Sequence, residues 1–176
     1  MKCSQRKLKG AHFEKQVETL LKKAEKISGG KITYESKPEI RLPHGEKLYA
    51  DFNLTIKTLN DDHHYKIECQ HRKRSDKDIL HKIQFVKQHH HAHTFIFVYA
   101  ERVGRDLAEK LEHFGTQCWS VERLRNWLLG KANEVRDSWE LEVGRQNSRQ
   151  TLLSTRREEF NSDPAARGLL DEFLKD

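Results

Sequence analysis

Two carboxylates, Asp51 and Glu68, lie in a stretch whose polar and apolar residues alternate, Tyr49–Gln70. Alternation with a period of two is typical of β-strands, and turn residues separate the two runs at 59–62. A hairpin centred near Leu59 and Asn60 would place Asp51 opposite Glu68, with Cβ atoms about 4.5–5.5 Å apart. Two carboxylates this close repel each other unless a cation lies between them. The spacing therefore predicts a site for a divalent metal ion with oxygen ligands.

A wider pattern of motifs surrounds these two residues and covers positions 8–128. In chain order the motifs are Gly10-Ala11-His12-Phe13-Glu14, Val17, Asp51, Glu68-Cys69-Gln70, the basic run His71-Arg72-Lys73-Arg74, a helix, and the apolar strand Phe95–Tyr99. In this order and spacing they resemble the PD-(D/E)xK nuclease superfamily, and within it the Mrr-like restriction endonuclease domains. The resemblance implies an α/β fold with a restriction-endonuclease-like core (αβββαβ), in which helices flank a mixed central sheet.

The resemblance also implies an activity. The chain would be a metal-dependent DNA endonuclease that hydrolyses phosphodiester bonds in restriction or phage defence, with Mg²⁺ as cofactor and Mn²⁺ as a possible substitute. Asp51 and Glu68 would be the carboxylate ligands of the metal. The backbone carbonyl of Cys69, between Glu68 and Gln70 on the same strand, would be a third oxygen ligand. Glu14 has two interpretations: an exposed first-turn carboxylate favoured by the helix dipole, or the acid that completes the metal site.

Gln70 departs from the family pattern, because relatives commonly have Lys at this catalytic position. A glutamine side chain hydrogen-bonds water, but it carries no charge and cannot act as a base. Activation of the attacking water would then fall to the metal, helped by Lys66 or Arg72.

Charge is distributed unevenly along the 176 residues, which carry a formal net charge of +6. Residues 1–130 hold about +8 of this charge and residues 131–176 about −2. A basic domain suggests a polyanionic partner, most simply DNA. The DNA-binding candidates are Arg72, Lys73, Arg74 and Lys77, and Lys82 belongs to the same basic cluster just downstream of the acidic pair. A solvated basic face is the alternative interpretation of the same residues.

Several classes of protein are not expected from the composition. The sequence has no apolar run of about eighteen residues, so we expect no transmembrane helix and no membrane partner. Its basic N-terminus lacks the apolar segment of a secretory signal. Three cysteines without a CxxC pair suit a reducing cytoplasm better than a disulfide framework.

Periodicity predicts the remaining elements. The expected helices are Lys9–Ile27, a helix capped by Ser75 or Asp76, Arg105–Phe114 and Val121–Leu129, and the expected strands are Lys31–Tyr34, Glu39–Leu42, Phe95–Tyr99 and Thr116–Val121. We expect the histidine tract at 89–93 to form a surface loop. The nuclease-like domain would be residues 1–130, closed by Gly130.

Residues 131–176 form a charged, mostly helix-compatible C-terminal extension with two apolar patches, one around Trp139 and one around Pro164. Such an extension would pack on the core, mediate self-association as a homodimer, or recruit a partner protein.

Two further interpretations remain open at this point. The chain could have a nuclease-like fold that has lost cleavage and now acts as a DNA-binding or partner-binding module. Alternatively, Asp51 and Glu68 could be solvent-facing hairpin residues, with the basic run serving solubility.

The first testable prediction concerns the basic residues. Replacing two of Arg72, Lys73, Arg74 and Lys77 with Ala should weaken DNA binding across sequences, because contacts to phosphate are independent of base identity. It should also make the dependence of affinity on salt shallower, by a slope of about one per lost phosphate contact. Gel retardation at several salt concentrations measures both. An unchanged salt slope would assign these charges to solubility.

Overall fold

The computed structural model describes residues 2–41, 47–70, 76–89, 94–100 and 103–162. Within these ranges the chain forms four helices and seven strands. In order they are α1 (Lys2–Ile27), β1 (Ile32–Ser36), β2 (Glu39–Arg41), β3 (Lys47–Tyr49), β4 (Phe52–Lys57), β5 (Asp62–Gln70), α2 (Asp76–His89), β6 (Thr94–Tyr99), α3 (Arg105–His113), β7 (Thr116–Ser120) and α4 (Val121–Ser162).

Five strands form a mixed sheet in the order β1-β4-β5-β6-β7. β1, β4 and β5 are antiparallel neighbours, whereas β5, β6 and β7 run parallel. A parallel pair needs a crossover connection, and α2 and α3 provide the two crossovers. β2 and β3 form a separate antiparallel pair. The predicted α/β class, the mixed sheet and the flanking helices are confirmed.

Helices cover both faces of the sheet. One face, which we call the α1 face, carries the buried side chains of β4 (Phe52, Leu54 and Ile56). Tyr34 on this face donates a hydrogen bond to Glu18 of α1 at 3.3 Å. The first turns of α4 lie on the same face, where the Trp127 ring contacts the rings of Tyr65 and Trp119.

The opposite face, which we call the α2 face, is covered by α2 and α3 over the parallel half of the sheet. Its apolar cluster comprises Ile79 and Ile83 from α2, Phe97 from β6, and Leu107 and Leu111 from α3. The predicted strand at Phe95–Tyr99 is therefore buried on both faces, with every residue from Phe95 to Val98 at most 3% exposed. Continuous apolar runs of this kind are typical of parallel strands between two layers of helix.

Two helices differ from the prediction. The first was expected at Lys9–Ile27, but α1 begins at Lys2, so the interpretation of Glu14 as a first-turn carboxylate is wrong. The last was expected to end at Leu129, but α4 continues through Gly130 to Ser162. A glycine inside a helix costs about 1 kcal/mol relative to alanine. Burial of Leu128 and Ala132 on either side holds this part of the helix in place.

The chain divides into two compact units, Met1–Arg136 and Asp137–Asp176. Within the second unit, residues 137–162 are helical. Four large apolar side chains there are at least half exposed: Leu141, Val143, Leu152 and Leu153.

Some predicted features lie outside the described residues. These are Leu42 with the turn that follows it at 43–46, the histidines at 90–93, and the apolar patch around Pro164. None of the described helices is long and apolar enough to cross a membrane.

A second prediction tests which leucines stabilise the fold. Leu54→Ala should lower the free energy of unfolding by about 2–5 kcal/mol, because it opens a cavity among fully buried side chains. Leu152→Ala, the same chemical change at a side chain that is 64% exposed, should change it by less than about 0.5 kcal/mol. Urea unfolding of both variants measures the difference, and equal losses would contradict this assignment of the core.

Candidate active site

The hairpin at the centre of the sequence pattern has the predicted register. β4 pairs antiparallel with β5, with Phe52 opposite Ile67, so the next pair outward is Asp51 and Glu68. β5 begins at Asp62, the last of the predicted turn residues, because the turn closes tightly through bonds between Thr58 and Asp61. Asp51 itself lies in a bend just before β4.

The bend at Asp51 replaces a ladder hydrogen bond by a side-chain bond. Oδ2 of Asp51 accepts the backbone N–H of Cys69 at 2.6 Å, and the Asp51 carbonyl accepts the N–H of Lys37 at 2.9 Å. The N–H and C=O of one strand residue project toward the same edge of the strand. The Cys69 carbonyl therefore lies on the Asp51 side of β5, the side that the predicted metal ligand requires.

Glu68 is buried and lies between two lysines. It is only 5% exposed, and its Oε2 lies 2.5 Å from Nζ of Lys82 on α2. Lys66, two residues earlier on the same face of β5, is 4% exposed and donates a hydrogen bond to Oδ1 of Asn53. Burial lowers the pKa of Lys66, and the negative charges of Glu35 and Glu68 oppose that shift. Buried charges are tolerated here because each has a partner.

Glu14 of α1 is connected to Asp51 through Lys37. Its carboxylate lies 3.5 Å from Nζ of Lys37, the residue whose N–H also contacts Asp51. Lys37 has a φ of 52°. This left-handed conformation costs a non-glycine residue of the order of 1 kcal/mol, and here it turns the chain between β1 and β2 next to Asp51.

The pKa of the Cys69 thiol is shifted by burial and by the charges around it. Burial raises its pKa most, and the charges of Asp51, Glu68 and Glu14 raise it further, whereas Lys82 lowers it. The charges of all three acids thus act on the Cys69 thiol, and the direct contact of Cys69 with the acids is the bond from its backbone N–H to Asp51.

Gln70 lies at the end of β5 and is half-buried. Its carbonyl accepts the N–H of Ala100 at 3.1 Å, and its side chain is on the same face as those of Lys66 and Glu68. It therefore lies two residues beyond Glu68 on the same face of β5.

Of the four DNA-binding candidates, only Lys77 is among the described residues. Arg72, Lys73 and Arg74 lie outside the described residues. Lys77 is exposed in the first turn of α2 and lines a groove of about 770 Å³ between α2 and α3. Its neighbours in the groove include Asp106 and Glu109 of α3. Thus Lys77 lies on the α3 side of α2, whereas Lys82 reaches the carboxylates.

Two residues that contact the site were not among the candidates predicted from the sequence, Lys37 and Asn53. Lys82 was placed in the basic cluster that favours contact with the DNA backbone, but its ion pair with Glu68 was not predicted. Asn53 could have been identified from the sequence, since alternation puts it on the same strand face as Asp51. Lys37 and Lys82 lie 14 residues before Asp51 and 14 residues after Glu68, respectively. Only the packing of the chain brings them to the carboxylates.

The donor chemistry of the site fits a hard divalent cation. Carboxylate and carbonyl oxygens are available from Asp51, Glu68 and Cys69, and Mg²⁺ commonly uses only one or two carboxylates and keeps several waters. Among the described residues, no three His, Cys, Asp or Glu side chains are grouped so as to hold a metal ion by themselves. Water and the backbone would therefore contribute much of the coordination.

Comparison with known proteins gives a likeness of fold. No protein family and no curated protein matches the sequence. The crystal structure of protein VC1899 from Vibrio cholerae is similar over 71% of this chain, with a TM-score of 0.51 and 15% sequence identity. The matched region is 33% of the VC1899 chain. At this identity the likeness concerns the fold, and it supports the α/β architecture described above.

A third prediction follows from the cysteines. Burial, followed by the charge of Glu112, raises the pKa of Cys118 to about 11. Compared with a thiol of pKa about 9, its thiolate fraction at pH 8 should be about 100-fold lower, and alkylation by iodoacetamide should slow in proportion. The rate should rise about tenfold per pH unit up to about pH 11. Peptide mapping by mass spectrometry measures it.

The same chain unfolded in urea is the control for the alkylation experiment, and equal rates for Cys118 in the folded and unfolded chains at pH 8 would contradict the prediction. The raised pKa of Cys118 also makes the stability of the fold depend on pH, in a defined direction. The folded thiol holds its proton more tightly than the unfolded one, so its stabilising contribution is complete below about pH 9. That contribution falls as pH rises toward about 11.

Proposed function

We propose that the chain is a metal-dependent DNA endonuclease with a restriction-endonuclease-like core of the PD-(D/E)xK type. The observation that carries the proposal is the register of the β4–β5 hairpin, which sets Asp51 opposite Glu68, with the Asp51 carboxylate bound to the N–H of Cys69 next to Glu68. The mixed α/β sheet supports it, as does the ion pair of Glu14 with Lys37, whose N–H binds the Asp51 carbonyl. A basic first unit suits a polyanionic substrate.

Each group has a defined task in this proposal. Asp51, Glu68 and the Cys69 carbonyl would hold Mg²⁺ or Mn²⁺, which supplies charge stabilisation and lowers the pKa of bound water. Glu14 would add negative charge on the α1 side of the site. The half-buried Gln70 would position water by hydrogen bonds without exchanging its proton.

The overall reaction is hydrolysis. Water adds its oxygen to phosphorus and loses a proton. The bond from phosphorus to the leaving sugar oxygen breaks, and that oxygen gains a proton. The products are a terminal phosphate and a terminal hydroxyl.

A second candidate function is a DNA-binding module with a nuclease-like fold that no longer cleaves. Two observations favour it: Gln70 carries no charge, and the ammonium group of Lys82 already contacts the Glu68 oxygen that a metal ion would use. DNA retardation in EDTA, combined with no cleavage in any metal, is the outcome that this candidate predicts.

A fourth prediction tests cleavage with supercoiled, linear and single-stranded DNA in Mg²⁺ and in Mn²⁺. The wild-type chain should cut at least one of these substrates. Asp51→Asn and Glu68→Gln should lower the rate at least about 100-fold, because each removes a negative charge that a metal ion needs. Asn at position 51 keeps an oxygen that can accept the Cys69 N–H, so the fold should be preserved.

Asp62→Asn is the matched control, since Asp62 is exposed at the end of the hairpin away from Glu68, and this variant should cleave at the wild-type rate. Circular dichroism checks that all the variants fold. Cleavage that persists undiminished in Asp51→Asn and Glu68→Gln would show that the nuclease site is elsewhere.

A further inference from the structure

The two lysines beside Glu68 differ in their access to solvent. Lys66 is 4% exposed and its ammonium group is bound to Asn53, so it cannot reach a ligand at the surface. The side chain of Lys82 is 30% exposed, although its Nζ lies 2.5 Å from Glu68. Glu68 beneath it is only 6% exposed in its side chain. Lys82 is therefore the cation of this pair that an incoming phosphate can contact.

Packing fixes the position of Lys82. Its neighbour Ile83 and the residue one turn earlier, Ile79, are both buried against Phe97 of β6. Phe97 is the register partner of Glu68 on the adjacent strand. The same contact that holds α2 on the sheet thus holds Lys82 over the acidic site, and the ion pair orients its ammonium group before any ligand binds.

A phosphodiester entering this site meets negative charge from Asp51 and Glu68, and its charge grows as water attacks. A preorganised cation aimed at that charge is the effective way to stabilise it. Gln70 cannot supply a charge. We infer that Lys82 is the phosphate-binding cation of this site: Glu68 holds its ammonium group in place, and that group pairs with a non-bridging oxygen of the scissile phosphate. The inference rests on the proposed endonuclease function.

The positive charge of Lys82 also affects how strongly the site would bind a divalent metal ion. This charge lies directly on a carboxylate that would bind a divalent ion, and like charges repel. Removing that charge should leave the affinity for a divalent ion unchanged or raise it. A residue that only supports Glu68 structurally would have the opposite effect, because its loss would disturb the carboxylate.

The test compares single-turnover cleavage at saturating DNA. Lys82→Met keeps the length of the side chain and removes its charge, and it should lower the rate about 100-fold. Lys23→Met removes an equal charge from an exposed position on α1, outside the groove that Lys77 lines, and should cleave at the wild-type rate. Lys82→Gln, whose amide can still donate to Glu68, should show a similar loss and serves if Lys82→Met does not fold.

Two further measurements separate phosphate binding from a structural role. Mn²⁺ affinity, followed by electron paramagnetic resonance without DNA, should be equal or higher in the position-82 variants. Adding Gln70→Lys to Lys82→Met should restore at least about tenfold of the rate, since residue 70 lies on the same strand face as Glu68 and returns an ammonium group to the site.

Results that contradict these expectations separate the proposed function from the inference about Lys82. An inert wild-type chain overturns the proposed function together with this inference. An active wild type with unimpaired position-82 variants overturns the inference alone. Loss of Mn²⁺ affinity in those variants, or no recovery with Gln70→Lys, also overturns it, because Lys82 would then act through Glu68.

Discussion

The hydrogen bond from the Cys69 N–H to Asp51 determines how this site is built. At the point where β4 bends away, β5 still has a backbone donor directed toward it, and a buried donor without a partner costs free energy. The Asp51 carboxylate takes the place of the missing strand carbonyl at 2.6 Å. One interaction therefore ends the β4–β5 ladder, satisfies β5 and fixes a carboxylate beside Glu68. The bend would otherwise leave Asp51 without a defined position.

Glu68 poses the opposite problem, a negative charge inside the fold. Burying an ion costs several kcal/mol unless charged and polar partners compensate for the lost hydration. Lys82 is such a partner from α2, and the adjacent Lys66 is itself bound by Asn53 from β4. These contacts tie α2 to the hairpin through polar groups, next to the apolar cluster around Phe97. The positions of these charged groups are therefore tightly constrained, because losing one partner would leave another charge buried without compensation.

The N-terminal helix joins the site through a strained turn. Lys37, with its left-handed φ of 52°, contacts Asp51 through its backbone and Glu14 through its side chain. α1 packs on the sheet through a stripe of buried residues that includes Phe13 and Val17. Glu14, between them in sequence, is thereby directed to the edge of the site. Apolar packing sets the helix, and the turn at Lys37 connects it to the carboxylates.

Local patterns in the sequence were sufficient for much of this architecture. Alternation from Tyr49 to Gln70 contained the register of the hairpin, because a shift of one residue would move every apolar side chain of β4 to the other face. The apolar run at Phe95–Tyr99 marked a strand buried on both sides, and three- and four-residue spacing marked the helices. The position of Asp51 opposite Glu68 followed from the same period-two rule.

Other features depended on the tertiary structure alone. The end of α4 was missed at Gly130, since burial of Leu128 and Ala132 outweighs the local preference of glycine to end a helix. The contact of Lys37 with Glu14 and that of Lys82 with Glu68 also could not be read from spacing. A lysine on an amphipathic helix has the same local pattern whether its ammonium group reaches water or a buried carboxylate. The packing of Ile79 and Ile83 on Phe97 determines that the ammonium group of Lys82 reaches the buried carboxylate, because it sets which side of α2 lies over Glu68.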